Sequence, residues 1–214
     1  MSLPRRLRAW VSTRSRAARF EMFMTAMRPS ANEAVLDVGV NDMGFRESNF
    51  LEAMYPWSSQ ITAVALENQP TFQERFPEVT LVVGDGRRLP FADGAFDIGF
   101  SNAVVEHVGS REDQRQFVSE LLRTCRRVFI STPNRRFPLE PHTMLPIVHW
   151  MPKAIREPIY RRTGNASWAS EDALNPLSER DFRSLFPPGV ELKLKRQRLM
   201  GLTSVLIGIA IQRR

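Results

Sequence analysis

Acidic, amide and glycine residues recur at the ends of successive apolar runs in the first half of the chain. Asp37 and Gly39 follow Ala34-Val35-Leu36, Glu67 closes "ITAVALE", Asp85 and Gly86 follow "VTLVVG", and Ser101 and Asn102 end "AFDIGFSN". These types suit a polar organic ligand. Gly39 has no Cβ to hold a ligand away from its backbone. Glu67 stands 28 residues after Gly39, where a carboxylate can accept both hydroxyls of a ribose. Asp85 can accept from an exocyclic amine such as that of adenine. Singly, each has a plain structural reading as a turn glycine, a helix cap or a solvated acid. Four such positions on four successive runs point to one shared crevice. The loop after Gly39 is unusual: Val40, Asn41, Asp42 and Met43 precede the next glycine, Gly44. It contains no G-x-G-x-x-G, the pattern a dehydrogenase would need.

The elements that must position these residues alternate. "AVLDVG", "ITAVALE", "VTLVVGD", "AFDIGFS" and "RRVFIST" read as strands, the first apolar throughout because it is buried on both faces. Between them, residues 48–55 read as a helix capped by Ser48, residues 71–76 as a short helix stopped by Pro77, and residues 111–124 as an amphipathic helix with Phe117, Leu121 and Leu122 inward. Alternation of this kind implies a parallel sheet with right-handed crossovers. Ser178 then caps a helix through Phe186, and "VELKLKRQRLM" and "TSVLIGIAI" follow, joined by a short turn at Met200-Gly201-Leu202. So tight a connection makes the last two strands antiparallel. In an open sheet of this class the ligand sits at the carboxyl ends of the strands.

Two segments lie outside this rhythm. Residues 1–29 form a basic helical segment with Leu7, Trp10, Val11, Ala17, Phe20, Phe23, Met24 and Met27 among seven arginines; it reads as one helix, or as two with a break near Ser12-Thr13. Packing on the domain, or contact with an anionic membrane surface, would each use it. Residues 133–176 carry seven prolines, two histidines and two tryptophans, and read as a stiff irregular insertion walling the substrate side. Within it Arg135, Arg136, His142 and Trp168 are candidate substrate contacts.

The formal net charge is +7 over 214 residues. It concentrates in the N-terminal helix and the insertion, which suits phosphate-bearing or lipid partners. Nothing beyond charge points to nucleic acid. The one cysteine, Cys125, excludes an internal disulfide framework and suits a reducing compartment. No secretory signal is evident, and the longest apolar stretch, about 13 residues, is too short for a membrane-spanning helix. A cytoplasmic protein is expected, peripheral at the inner membrane surface if the basic helix meets lipid. Oligomeric state is not legible.

The segments "VLDVG", the acid of "AVALEN", "GDGRRLPFADGAFDIGFSNAVVEHV" and "FISTPN" together resemble the class I S-adenosylmethionine-dependent methyltransferases, specifically the type 11 group, over roughly residues 34–134. The resemblance implies an α/β fold with a Rossmann-like, mostly parallel seven-stranded sheet of order 3-2-1-4-5-7-6 ending in an antiparallel hairpin. It makes residues 30–214 the catalytic domain and S-adenosylmethionine the cofactor. It places Asp37 and Gly39 at the methionine end, with Val40 beside them. Glu67 and Asn68 fall at the ribose, Asp85 and Gly86 at adenine, and Ser101 and Asn102 beside the sulfonium. That family has glycines where Asn41 and Met43 stand here. His107, in Glu106-His107, is a candidate general base or substrate contact. Ala103 stands where a further acid would complete a metal-binding run. Glu106 and His107 alone are too few ligands for a tight site, and no metal is expected. The expected activity is methyl transfer, by preference to oxygen, on a small-molecule or lipid- or sugar-linked acceptor. RNA methylation, or a non-catalytic protein that keeps the fold, is the alternative.

Overall fold

The computed structural model describes residues 5–42, 48–170 and 173–212, with side chains from residue 12 onward in the first helix. Gly44, and the side chains of Leu7, Trp10 and Val11, lie outside the described residues.

Seven strands form one sheet in the order β3-β2-β1-β4-β5-β7-β6, as the sequence implies. β1 (Val35–Val38) lies between β2 (Ile61–Ala65) and β4 (Phe96–Asn102), parallel to both. β3 (Thr80–Val83) extends the sheet beyond β2, and β5 (Cys125–Pro133) extends it beyond β4, again in parallel. β7 (Leu202–Ile211) then inserts antiparallel between β5 and β6 (Glu191–Leu199). Met200 and Gly201 make the hairpin turn with φ of 51° and 81°. Two successive positive values are what the twist-compatible two-residue turn requires.

The helices pack on both faces. α1 (Arg5–Met27) runs unbroken through Ser12-Thr13, so the two-helix reading is set aside. Phe23 and Met27 of α1 are fully buried. The Phe23 ring meets Phe100 and Phe129 edge-on, at centroid distances of 5.2 and 5.6 Å. α2 (Phe50–Met54) and α3 (Pro70–Arg75) follow on this side, where Phe50 and Phe72 join the same core. Ser48 does not cap α2: Asn49 precedes the helix, and no side chain caps it. The Asn49 amide instead donates to Asn41 O at 2.8 Å and accepts from Asn41 N at 3.3 Å, pinning the start of the loop after β1.

On the other face, α4 (Arg111–Thr124) starts with a full capping box between Ser110 and Asp113 and buries Phe117, Val118, Leu121 and Leu122. α5 (Lys153–Arg162) lies inside the proline-rich insertion, which is therefore not irregular throughout. Burial of Tyr160 against Val148 and Ala169 holds it despite the internal Pro158. α6 (Glu179–Arg183) is capped by Ser178 as expected but ends three residues before Phe186.

Candidate active site

Asp37 sits near the carboxyl end of β1 and is almost fully buried. Glu52 of α2, also buried, faces it, and no described residue donates a hydrogen bond to either Glu52 oxygen. Burial raises the pKa of both carboxyls, and for Asp37 the charge of Glu52 raises it further. Two ionised carboxylates have no donor between them, so one retained proton is what the pair calls for. A small cleft opens here, bounded by Asp37, Gly39, Asn49, Phe50 and Asn102.

Gly39 has φ +113°, and a Cβ there would lie 2.1 Å from Val104 Cγ2. Glycine is thus required by both the backbone and the turn that covers it. That turn follows β4: Ala103 adopts φ +56° and directs Val104 back over Gly39. A left-handed alanine costs about 1–2 kcal/mol, and strain of this kind collects at functional sites. Val40 is buried, and its N–H joins that of Gly39 on Val64 O, at 3.3 and 2.8 Å. Val40 therefore supports the loop through contacts already made within the fold.

Glu67 and Asn68 lie two and three residues beyond β2, both exposed. Asp85 is already engaged. Arg87 Nη2 reaches its carboxylate at 2.7 Å and Nε at 3.0 Å, and Arg87 also pairs with Asp113 at 3.0 Å. The Arg87 guanidinium holds the Asp85 carboxyl below its usual range. At Gly86 a Cβ would strike the Phe117 ring at 2.5 Å, so α4 packing by itself demands glycine. Ser101 is fully buried, and its hydroxyl donates to Val38 O at 3.0 Å, stitching β4 to β1. The Ser101 hydroxyl is thus engaged within the sheet. A larger surface hollow at the amino ends of β4 and β5 is lined by Glu33, Asp97, Arg126 and Arg127, which pair among themselves.

Asn102 ends β4 and accepts from Ser131 Oγ at 2.8 Å and from Arg19 Nη1. Arg19 was not singled out from the sequence. It projects from α1, only 7% exposed, and also donates to Gln197 Oε1 at 3.1 Å and Ser15 Oγ at 3.0 Å. No described carboxylate lies within ion-pair distance of it, and burial lowers its pKa to about 10.

Three of the singled-out side chains, far apart in sequence, come together past β4 and β5. His107 and His142 meet edge to face at 4.5 Å between centroids, and Trp168 lies 5.6 and 5.1 Å from them. His107 Nδ1 lies 2.7 Å from Ala173 O, and His142 Nδ1 lies 2.7 Å from Glu140 Oε1. Burial disfavours charge on His142, but the Glu140 hydrogen bond and the fields of Glu106 and Glu140 outweigh it, and its pKa is raised. Arg135 stands apart from this group. Its backbone carbonyl accepts from His149 and Trp150, and its N–H donates to Leu177 O.

Residues 41–128 match the family described as Methyltransferase domain. Among solved structures, magnesium protoporphyrin IX methyltransferase from Synechocystis, with S-adenosylhomocysteine bound, aligns with TM-score 0.62 at 12% identity, covering 100% of this chain and 90% of that one. The chain has the fold of the class I S-adenosylmethionine-dependent methyltransferases. The methyltransferase domain of a bacterial Hen1 protein aligns with TM-score 0.60 at 13% identity, over 94% of this chain and all of that one. Geranyl diphosphate C-methyltransferase from Streptomyces coelicolor, solved with Mg2+, geranyl diphosphate and S-adenosylhomocysteine, aligns with TM-score 0.57 at 14% identity, covering 92% and 78%. No curated protein matches the chain by sequence. Two of these neighbours, the protoporphyrin and the geranyl diphosphate enzymes, hold S-adenosylhomocysteine.

Proposed function

We propose that the protein is an enzyme that methylates an oxygen of a small-molecule or lipid- or sugar-linked acceptor bearing an anionic group. The observation that carries this reading is the cation at the reactive end. Arg19 is buried against Asn102 with no described carboxylate within ion-pair distance, Glu106 reaching it only through its field. A buried guanidinium without a counter-ion is costly, and an acceptor carboxylate or phosphate would supply one.

The chain's own residues fit the cofactor at two places. Glu67 is exposed just past β2 and suits ribose hydroxyls. Asp37, buried against Glu52 and bordering the cleft at the end of β1, suits the ammonium of the methionine end. When bound, S-adenosylmethionine supplies an electrophilic methyl group. The protein's part is orientation of the acceptor and handling of its proton. His107, His142 and Trp168 line the acceptor side in this reading. Asp85 contributes through its ion pair with Arg87, which fixes the Gly84–Arg88 turn.

A lipid-linked acceptor draws support from the insertion. Trp150, Ile147 and Ile155 are 46, 46 and 52% exposed, near the exposed Lys153 and Arg161, a pairing of apolar and basic side chains suited to an anionic lipid surface. Among the described residues no helix is long and apolar enough to cross a membrane. The decisive test is calorimetric titration with S-adenosylhomocysteine. The wild type is expected to bind one equivalent, and Asp37→Ala to lose binding. Undiminished binding in that variant would refute the site. Co-flotation with anionic vesicles tests the lipid part separately.

A further inference from the structure

His107 and His142 present a problem in hydrogen-bond accounting. Each Nδ1 lies 2.7 Å from a group that can only accept, Ala173 O and the Glu140 carboxylate. Each Nδ1 therefore carries its hydrogen, and in the neutral rings each Nε2 is a bare lone pair. Those two Nε2 atoms face each other at 3.0 Å. Two lone pairs at that distance repel unless something positive lies between them. Beside them, Glu106 Oε1 is 3.9 Å from His107 Nε2. The Glu106 side chain is 1% exposed, and no described residue gives its Oε1 a hydrogen bond. Its other oxygen is fixed by Thr132 Oγ1 at 2.9 Å.

A proton shared by the imidazoles would satisfy the nitrogens and leave Glu106 Oε1 orphaned. A cation satisfies all three atoms at once. We propose that Glu106, His107 and His142 bind a divalent transition-metal ion such as Zn2+, Mn2+ or Co2+. The three ligand atoms lie within 4.8 Å of one another. Metal–ligand bonds of about 2.0–2.2 Å at tetrahedral angles space donors about 3.3–3.5 Å apart, so small side-chain rotations close the site. Two imidazoles and one carboxylate match the ligand preference of these metals and leave coordination positions open. The surroundings are those of a built site. Glu140 and Ala173 O hold the outward nitrogens, the arrangement that fixes tautomer and ring angle in metal-binding histidines. Trp168 covers both rings.

Sequence spacing showed two of the three ligands. The third comes from the insertion, 35 residues beyond His107. The open positions would take an oxygen of the acceptor and lower the pKa of its hydroxyl. This last step rests on the proposed methyl transfer; the metal site does not.

The test is titration of metal-free protein with Co2+, followed by its visible d–d absorption, and with Zn2+ by calorimetry. One ion per chain is expected. His142→Asn and Glu106→Gln should each weaken binding at least about tenfold, and Glu140→Gln, through His142, about 10–100-fold. His142 lies in the insertion, and its variant should keep the wild-type thermal transition, so lost binding there reports the ligand and not the fold. Absence of saturable Co2+ or Zn2+ binding, or unchanged binding in His142→Asn, would overturn the site. Titration with S-adenosylhomocysteine on the same samples separates the two readings. Metal binding without cofactor binding supports the site and counts against methyl transfer. The reverse overturns the site and leaves methyl transfer standing.

Discussion

Gly39→Ala should destabilise the protein for two separable reasons, and a double-mutant cycle with Val104 can apportion them. The first is conformational. At φ +113° an alanine leaves its allowed regions, a cost of about 1–3 kcal/mol. The second is steric. The new Cβ would sit 2.1 Å from Val104 Cγ2, far inside contact distance, and such overpacking costs about 1–3 kcal/mol. The single variant should therefore lose roughly 2–6 kcal/mol, a large part of the 5–15 kcal/mol typical of a domain. Val104→Ala alone removes two partly buried methyl groups, about 1 kcal/mol. In the double variant the 2.1 Å clash is gone, leaving the backbone cost and a tight 3.1 Å contact with the Cβ of residue 104. The structure predicts a favourable coupling energy of about 1–3 kcal/mol, measured by urea denaturation of all four proteins. Additivity within about 0.5 kcal/mol would show that Val104 does not cover Gly39, and the described turn after β4 would be wrong. A ligand-clearance role for Gly39 alone predicts the opposite pattern: lost cofactor affinity with little change in stability.

Burial of the Asp37–Glu52 pair makes a pH-dependent prediction. Both carboxyls have folded pKa values raised above their unfolded ones, so the folded state retains protons the unfolded state has released. Stability should fall as pH rises from about 4 through the raised values. Glu52→Gln should stabilise the ligand-free protein by about 1–3 kcal/mol at neutral pH, with the gain vanishing near pH 4 in thermal melts. Ser101→Ala should cost about 1 kcal/mol through the lost bond to Val38 O, with cofactor affinity unchanged by calorimetry. Arg19→Gln should raise KM for the anionic acceptor by one to two orders of magnitude, from a lost charge-assisted contact of roughly 1.5–3 kcal/mol, while S-adenosylhomocysteine affinity stays put.

Much of the fold is legible because local chemistry and the global pattern agree. Ser110 and Ser178 each precede an aspartate by three residues, and both build the capping box their spacing implies. Met200-Gly201 leaves no room for a crossover, so the final strands pair antiparallel. What the sequence leaves hidden has physical causes. The bond of Ser101 to Val38 O is not visible in sequence: β4 is central and buried on both faces, so its hydroxyl turns to the neighbouring strand. Asp85 reads as a free acceptor because nothing in a sequence shows that Arg87 folds back onto it. α5 is hidden by its proline and weak periodicity. Arg19 looks like one of seven basic residues, yet a signal exists. Arg19, Phe23 and Met27 recur at intervals of four, which places an arginine on the stripe α1 buries.

The family match ends at residue 128 and begins at 41, and those bounds divide the site by role. Glu52, Glu67 and Asp85, at or near the cofactor end, lie inside them; Asp37 lies just before. Arg19, Glu140, His142, Trp168 and Gln197 lie outside. They arrive from α1, the insertion and β6, and converge on Asn102, Glu106 and His107 at the ends of β4 and β5. Under the proposed methyl transfer, a shared cofactor would explain why the inner part resembles a widespread domain. On the same proposal the acceptor side has no such constraint and would be assembled from the segments that carry most of the positive charge. A counter-ion for Arg19 and ligands for the Glu106–His107–His142 group would then be two demands on one molecule: an anionic group at one end and an oxygen donor near the histidines. An acceptor library that varies those two features independently should show that both are needed for turnover, and activity toward neutral acceptors equal to that of their charged counterparts would refute the role of Arg19.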